Sequence, residues 1–289
     1  MATGRFEIVG KDRYAPDLYR MRVLAPRIPP KAMAGQFIIV RTDEKGERIP
    51  LTLMDFSREA GTVDFVFAIV GTTTDKLSRL EVGDCLADVV GPLGRPSETE
   101  KLGRVACVGG GAGIAAIYPI AKAMVQAGNQ VKILLGSKDR EHLILTDEIE
   151  KLDAELEIAT DDGSVGVKGF VTALLERAAR EWKPDRVVAV GPVPMMRAVA
   201  FLTGDHGIPT LVSLNSIMLD GTGMCGTCRV EVGGETKFCC VDGPEFDAHQ
   251  VDFDILISRL DAYRGEEKES WERFQGKAGE YGHACGAQE

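Results

Sequence analysis

The chain has 289 residues, 44% of them hydrophobic and 27% charged, which suits a globular protein of at least two domains at roughly 100–200 residues each. A net charge of −10 argues against general nucleic-acid binding, which needs a basic face, and against an anionic membrane surface. No run of about 18 apolar residues is present to span a bilayer, and Met1-Ala-Thr-Gly-Arg-Phe6 has no apolar signal core. The expected location is the cytoplasm, where seven cysteines read as metal ligands or free thiols rather than disulfides.

Residues 1 to about 98 predict a small antiparallel β barrel. Short strand-like runs recur at Phe6–Val9, Leu18–Val23, Phe37–Val40, Val63–Val70 and Cys85–Val90, separated by Gly, Pro and Asp. Gly91-Pro-Leu-Gly94 is expected to be the turn that closes the barrel. Within this region Arg48-Ile-Pro50-Leu51-Thr52 resembles the flavin motif of the ferredoxin–NADP reductase superfamily. Arginine offers a planar fork of donors to a pyrophosphate, and a hydroxyl at the strand end can meet the flavin ring edge. Gly71-Thr72-Thr73-Thr74, preceded by Ile69 and followed by a short helix at Asp75–Leu80, offers small residues and backbone N–H groups to phosphate. The resemblance implies FAD here in preference to FMN, both of which the superfamily uses.

Residues 101 to 212 predict a doubly wound parallel sheet of five strands that binds NAD(P). Arg104–Val108 reads as a buried strand that runs into Gly109-Gly-Gly111-Ala-Gly113-Ile-Ala-Ala116, and helical spacing follows at Ile117, Ile120, Ala121 and Met124. Strand, glycine turn and helix form the context of a dinucleotide fingerprint. Further strands are expected at Val131–Leu135, Leu156–Ala159, Arg186–Val190 and Thr210–Ser213, with helices at Thr146–Leu152 (capped by Thr146), Phe170–Arg180 and Pro194–Leu202. The strand ends beside the glycine turn would carry the ligand. They hold Lys138, Asp139 and Arg140, then Asp161 and Asp162, then Gly191, Pro192 and Met195. Asp139 suits ribose hydroxyls and so NAD; Lys138 and Arg140 suit a 2′-phosphate and so NADP. The residues leave both open.

Residues 213 to 250 form the candidate metal lobe. Four cysteines fall within sixteen residues, as Cys225-x2-Cys228 and the adjacent pair Cys239-Cys240. Glycines at 221, 223 and 226 surround the first pair, and Asp220 stands five residues ahead of Cys225. Thiolates converging in such a loop are soft ligands, suited to iron–sulfur or zinc. Arg229–Val232 and Glu235–Phe238 read as a hairpin around Gly233-Gly234. Adjacent strand residues face opposite ways, so only one of Cys239 and Cys240 can be a ligand. Cys85 and Cys107, in strand runs, are expected to be core residues. In the segment 251 to 289, Phe253, Leu256, Ile257, Leu260 and Tyr263 make one helical stripe, and a charged tail with Trp271 and Phe274 follows as the expected contact region for a partner. Cys285, near His283, is expected in a disordered end.

The spacing Asp220-x4-Cys225-x2-Cys228-x11-Cys240, followed by Asp242-Gly-Pro, resembles the [2Fe-2S] segment of the dihydroorotate dehydrogenase electron-transfer subunits, whose first ligand is a cysteine. Aspartate in that place is similar to the small subunit of NADH-dependent ferredoxin:NADP+ oxidoreductase, a flavin-based bifurcating enzyme. The segments Thr160-Asp-Asp-Gly-Ser164 and Gly191-Pro-Val-Pro-Met-Met196 resemble the same subunits, and the likeness runs to about residue 263. It implies that Asp220, Cys225, Cys228 and Cys240 hold the cluster, that NAD(H) is the nucleotide, and that electrons pass through FAD to a larger subunit with its own FAD and [4Fe-4S] clusters, and through it to ferredoxin. Other readings are a subunit of dihydroorotate dehydrogenase or of sulfide dehydrogenase, and a cluster-based redox sensor. An oxygen ligand at Asp220 in place of a thiolate would raise the cluster potential, as thiolate loss does in Rieske centres. No catalytic triad or carboxylate pair is visible.

Overall fold

The computed structural model describes residues 6–276; Cys285 and His283 lie outside the described residues. The chain begins with β1 (Phe6–Ala15), β2 (Leu18–Leu24), β3 (Phe37–Arg41), β4 (Arg48–Thr52), β5 (Asp55–Ser57), β6 (Thr62–Ala68), α1 (Thr72–Arg79), β7 (Cys85–Leu86) and β8 (Asp88–Leu93). These strands make two antiparallel sheets, ordered β5-β6-β2-β1-β7 and β4-β3-β8. One core lies between them, with Ile8, Met21, Phe65 and Phe67 from the larger sheet, Ile38, Val40 and Val89 from the smaller, and Leu77 of α1. The period-two alternation of β2 explains the arrangement, because Met21 and Val23 are buried in this core while Arg22 between them is exposed, and Leu18, on the opposite face, packs into a different cluster. Gly91-Pro92-Leu93 belongs to β8 rather than to a turn, in pairing with β3 through a register shift opposite Phe37 and Ile39. Cys85 sits in the short edge strand β7 and is only partly buried, whereas Cys107 is fully buried.

The second unit alternates strand and helix: β9 (Arg104–Gly110), α2 (Ile114–Gln126), β10 (Gln130–Ser137), α3 (Thr146–Ile149), β11 (Glu155–Thr160), β12 (Val167–Lys168), α4 (Val171–Arg177), β13 (Arg186–Val190), α5 (Val193–Asp205) and β14 (Thr210–Ser213). The expected five strands are parallel in the order β11-β10-β9-β13-β14. Two strands that the sequence pattern did not predict extend the edges, the two-residue β12 and the antiparallel β17 (Glu245–Asp247). The near-continuous burial of β9, β10 and β13 follows from helices on both faces. Residue Cys107 of β9 packs with Ile117 and Ile120 of α2, and its neighbours Ala106 and Val108 pack with the α4–α5 layer. Thr146 is the first residue of α3 rather than its cap; the cap position is Leu145, in a left-handed conformation at φ 59°.

After β14 the chain forms the cysteine loop, the hairpin β15 (Arg229–Val232) and β16 (Glu235–Phe238), then β17, α6 (Phe253–Asp261) and α7 (Arg264–Gln275). The hairpin has the predicted register, with Val232 opposite Glu235 across Gly233-Gly234. Phe253 and Leu256 of α6 are buried in the lobe core, and Ile257 and Leu260 pack against it. Tyr263 leaves that stripe and is 57% exposed. No helix among the described residues is long and apolar enough to cross a membrane.

Asn129 joins the interdomain linker to the parallel sheet. Its Oδ1 accepts from the Leu102 and Gly103 N–H groups at 2.6 and 3.0 Å, and its Nδ2 donates to the carbonyls of Glu100 and Met124 at 2.9 and 3.0 Å. Asn129→Ala strands these groups in a buried site, with an expected cost of about 2–4 kcal/mol read as a lower denaturant midpoint.

Candidate functional site

The parallel strand order reverses between β9 and β13, the place where ligands bind to such sheets, and a cavity of about 540 Å³ lies there. Gly110 and Gly111 form one wall, Ser137 and Lys138 another, and Asp161, Pro192 and Met195 close it. Gly111 has φ +54°, and a Cβ there would meet no atom within 4 Å, so the turn leaves open space facing the cavity. Gly113 serves a different purpose. A Cβ there would stand 2.4 Å from the Val190 carbonyl oxygen, so its absence lets α2 start hard against the end of β13. Gly109 and Gly191 likewise have no space for a Cβ, against Ile117 and Met195. The glycine motif therefore divides into one open position and several packing positions.

Among the acidic candidates, Asp161 lines the cavity. Asp162 folds onto its own loop, accepting from Ser164 N at 2.9 Å and Ser164 Oγ at 2.7 Å. Arg140 is tied to the same loop through Ser164. Asp139 accepts from His142, whose Nδ1 lies 2.7 Å from Asp139 Oδ1 while its Nε2 lies 2.9 Å from Asp17 Oδ1 in the β1–β2 turn. A neutral imidazole has one N–H, so carboxylates at both ring nitrogens require the imidazolium. Burial opposes that charge, but the hydrogen bonds to Asp139 and Asp17 outweigh it and raise the His142 pKa. His142 and Phe170, the latter 72% exposed at the head of α4, also line the cavity. Sequence spacing singled out neither; an exposed aromatic directly ahead of a helix at a strand's carboxyl end was the available signal.

In the β-domain, alternation puts Arg48, Pro50 and Thr52 on one face of β4, while Ile49 and Leu51 pack towards the core. Arg48 is half exposed, with Asp88 Oδ2 3.7 Å from its guanidinium. The Ile69 N–H donates to the Asp17 carbonyl at 2.8 Å, which carries the chain into the Gly71 loop. Thr74 Oγ1 accepts from the N–H groups of Val70 and Gly71 at 2.9 and 3.1 Å and so fixes the start of α1. Thr73 Oγ1 donates to Glu47 at 2.7 Å. Residues 70–74, Glu47 and Ile49 line a second cavity, of about 170 Å³, and Arg48 is not part of its wall. A Cβ on Gly71 would meet nothing within 4 Å, so this helix start is open to a ligand, as a phosphate cradle requires.

In the cysteine loop, Cys228 and Cys240 face each other with sulfurs 3.2 Å apart. Two thiolates on one tetrahedral metal ion with bonds of roughly 2.3 Å stand about 3.8 Å apart, so the pair lies somewhat closer together than a shared ion would set it. Burial pushes both Cys239 and Cys240 up to about 12, but only Cys240 meets Cys228; Cys239 is set against Ser216. Cys225 is exposed, and hydrogen bonds with Thr227 hold its thiol below the usual range. The Asp220 carboxylate accepts from Thr222 N at 2.8 Å and Cys225 N at 2.9 Å, which keep it below the usual carboxylate range. Among the described residues no three His, Cys, Asp or Glu side chains converge with metal-holding geometry. The structure thus brings together the Cys228–Cys240 pair, with Asp220 and Cys225 in the adjoining turn. Three thiols and a carboxylate on a glycine-rich loop match the donor chemistry of an iron–sulfur centre.

Two family models match parts of the chain. The iron–sulfur cluster binding domain of dihydroorotate dehydrogenase B matches residues 215–252, and an oxidoreductase NAD-binding domain matches residues 107–200. A Thermotoga maritima protein described as a homolog of the electron transfer subunit of dihydroorotate dehydrogenase B (NAD(+)) is 49% identical, over 95% of this chain and 97% of its own length. The corresponding electron transfer subunit of Desulforamulus reducens is 33% identical over 82% of this chain and 93% of its own. A solved chain from work on flavin-based electron bifurcation by the NADH-dependent reduced ferredoxin–NADP oxidoreductase superposes with a TM-score of 0.89 at 48% identity, covering 95% of this chain and all of that one. A ferredoxin reductase of carbazole 1,9a-dioxygenase, at 22% identity and TM-score 0.59 over 71% of this chain and 67% of that one, shares the fold.

His142 gives the nucleotide site a pH dependence. Its folded pKa is raised above the ordinary value near 6.5, so the stabilisation is fully present below about pH 6.5 and is lost as pH rises through the folded value. Asp17 and Asp139 stay ionised throughout, and Lys138 is the cation nearby. The melting temperature of the wild type is expected to fall from about pH 6 to about pH 9 by a component that His142→Gln lacks. Equal pH slopes for the two proteins would refute the bridge.

Proposed function

The chain belongs to the family of electron-transfer subunits of dihydroorotate dehydrogenase B, and from that premise we propose that it passes electrons between NAD(H), FAD and a [2Fe-2S] cluster to a larger partner subunit. The observation that supports this best is that two of the candidate sites meet on one small sheet and the third is tied to the same β-domain. β4 carries the Arg48–Thr52 motif, and its sheet partners β3 and β8 receive the cysteine loop: a Cβ on Gly221 would lie 2.6 Å from Leu93 and 3.0 Å from Ile39. The His142–Asp17 contact brings the nucleotide domain to the same β-domain.

On this reading Gly111, Asp161, Pro192 and Met195 hold the dinucleotide, with Asp139 kept in place by His142. Gly71, Thr72, Thr73 and Thr74 hold the flavin phosphates, and Arg48, Pro50 and Thr52 present one face of β4 to the flavin. Asp220, Cys225, Cys228 and Cys240 hold the cluster, and Cys239 does not. Bound flavin supplies the exchange between the two-electron chemistry of nicotinamide and the one-electron chemistry of iron–sulfur. The chain's own part is to bind and orient these groups and to keep water from them.

The partner reading draws on the exposed side chains around the cysteines. Leu219, Met224 and Val241 are 50%, 89% and 40% exposed beside the candidate ligands. Apolar side chains gathered at a redox loop fit a protein interface. A larger flavin and [4Fe-4S] subunit that exchanges electrons with ferredoxin, in the cytoplasm, is the partner this suggests, as in NADH-dependent ferredoxin:NADP+ oxidoreductase.

Absorption and EPR spectra of anaerobically purified protein, before and after NADH, test the proposal. Flavin bands that bleach and a paramagnetic signal from a reduced cluster are expected. Cys228→Ser and Cys240→Ser should abolish the cluster signal, and Cys239→Ser should retain it. Flavin without iron would reduce the function to that of a flavin reductase. Asp220→Cys should lower the cluster midpoint potential, since a thiolate donates more strongly than a carboxylate; an unchanged midpoint refutes Asp220 as the tuning ligand.

A further inference from the structure

The tail helix α7 is strongly polar and solvent-exposed along most of its length, yet it is firmly docked. Trp271 Nε1 donates to Asp75 Oδ2 at 3.1 Å, Thr72 Oγ1 and Ser270 Oγ are 3.2 Å apart, and the Arg79 guanidinium lies over the Phe274 ring at 4.6 Å. Glu267, Ser270, Trp271 and Phe274 fall on one helical face by their spacing, and that face meets α1. Two of these residues, Glu267 and Ser270, complete the wall of the 170 Å³ cavity at the start of α1. The cavity is therefore shared by two distant parts of the chain.

Its chemistry is two-sided. One side is the start of α1, where helix N–H groups and the dipole favour phosphate. The other side carries the carboxylates of Glu47 and Glu267 with the hydroxyls of Thr72 and Ser270. Carboxylates repel a phosphate but accept hydrogen bonds from sugar hydroxyls and from an exocyclic amine. A ligand that satisfies both sides has a phosphate followed by a hydroxyl-bearing nucleoside. FAD has that sequence of groups, whereas FMN ends at its phosphate and leaves Glu267 and Ser270 without a ligand group.

We propose that α7 is the determinant of FAD over FMN, with Glu267 and Ser270 receiving the adenosine half of the flavin. The inference rests on the reading above that the start of α1 holds the flavin phosphates. It makes α7 a specificity element of this chain's own flavin site.

The test is titration of FAD and of FMN into deflavinated full-length protein, followed by flavin fluorescence, for the wild type and for the double variant Glu267→Ala/Ser270→Ala. Both residues sit on a helix surface, so the fold is not at stake. The wild type should prefer FAD by tenfold or more, and the variant should lose about tenfold in FAD affinity with FMN affinity unchanged, as expected for one or two lost hydrogen bonds. Unchanged FAD affinity would overturn the inference. So would an equal fall for FAD and FMN, which would make α7 a mere support for the loop. In both cases flavin binding by the wild type leaves the underlying reading standing. A wild type that binds neither flavin would overturn that reading and the inference with it. Trp271→Ala, which releases α7 without touching the cavity wall, should reproduce the selective loss of FAD.

Discussion

The contact that the rest of the molecule depends on is the close approach of the cysteine loop to the β4-β3-β8 sheet. Gly221 adopts φ +74° and lies where any side chain would collide with Leu93 and Ile39. This allows the turn that starts at Asp220 to rest directly on the sheet whose outer strand carries the Arg48–Thr52 motif. The approach is held from both sides. β17 pairs antiparallel with β14 and ties the lobe to the nucleotide sheet, and the Arg95 N–H donates to the Gly243 carbonyl at 2.6 Å to tie it to the β-domain. Electron transfer needs short separations between centres, and a lobe anchored to both domains fixes them through the fold.

The same economy of position governs the nucleotide side. Of the fingerprint glycines, only Gly111 opens into the cavity, and the others admit backbone or a neighbouring side chain. His142 performs two tasks at once. It holds Asp139 at the end of β10, and it reaches Asp17 in the β-domain. Asp17 also accepts the Ile69 N–H, so the link continues along the backbone into the loop that starts α1. A single protonated imidazole thus connects the turn after β10 to the segment that fixes the second cavity.

The parallel sheet was legible because its strands are buried on both faces and read as unbroken apolar runs, and the loops at their ends follow from topology. The cysteine loop was legible because four cysteines fall within sixteen residues, while the choice of Cys240 over Cys239 came from the resemblance and not from the spacing. Side-chain partnerships were not. Nothing in the spacing of Asp139 and His142 reveals that Asp17, more than a hundred residues earlier, completes their contact. β17 was missed because three residues, Glu245-Phe-Asp247, become a strand only by pairing with a finished sheet edge. α7 read as a charged tail because its docking relies on two aromatic residues and on a partner helix, not on an apolar stripe. Arg48 matched a residue pattern, but a pattern does not say which wall of a cavity a side chain joins.

The adjacent pair Cys239-Cys240 shows how local geometry selects one chemical group from two identical ones. The hairpin turn at Gly233-Gly234 sets the pairing of β15 with β16, so Phe238 stands opposite Arg229 and the strand ends one residue before the pair. The Asp242 carboxylate then accepts the Phe238 N–H at 2.8 Å and bends the chain back, which turns Cys240 towards Cys228. Cys239 donates its backbone N–H to the Cys228 carbonyl at 3.1 Å and directs its sulfur into the core beside Ser216. Both cysteines stand in the turn after β16, so it is the contacts of this turn, and not strand alternation, that send the two sulfurs different ways. The turn that closes a four-residue ribbon therefore decides which sulfur is presented to the loop of Cys225 and Asp220 and which is kept in the core.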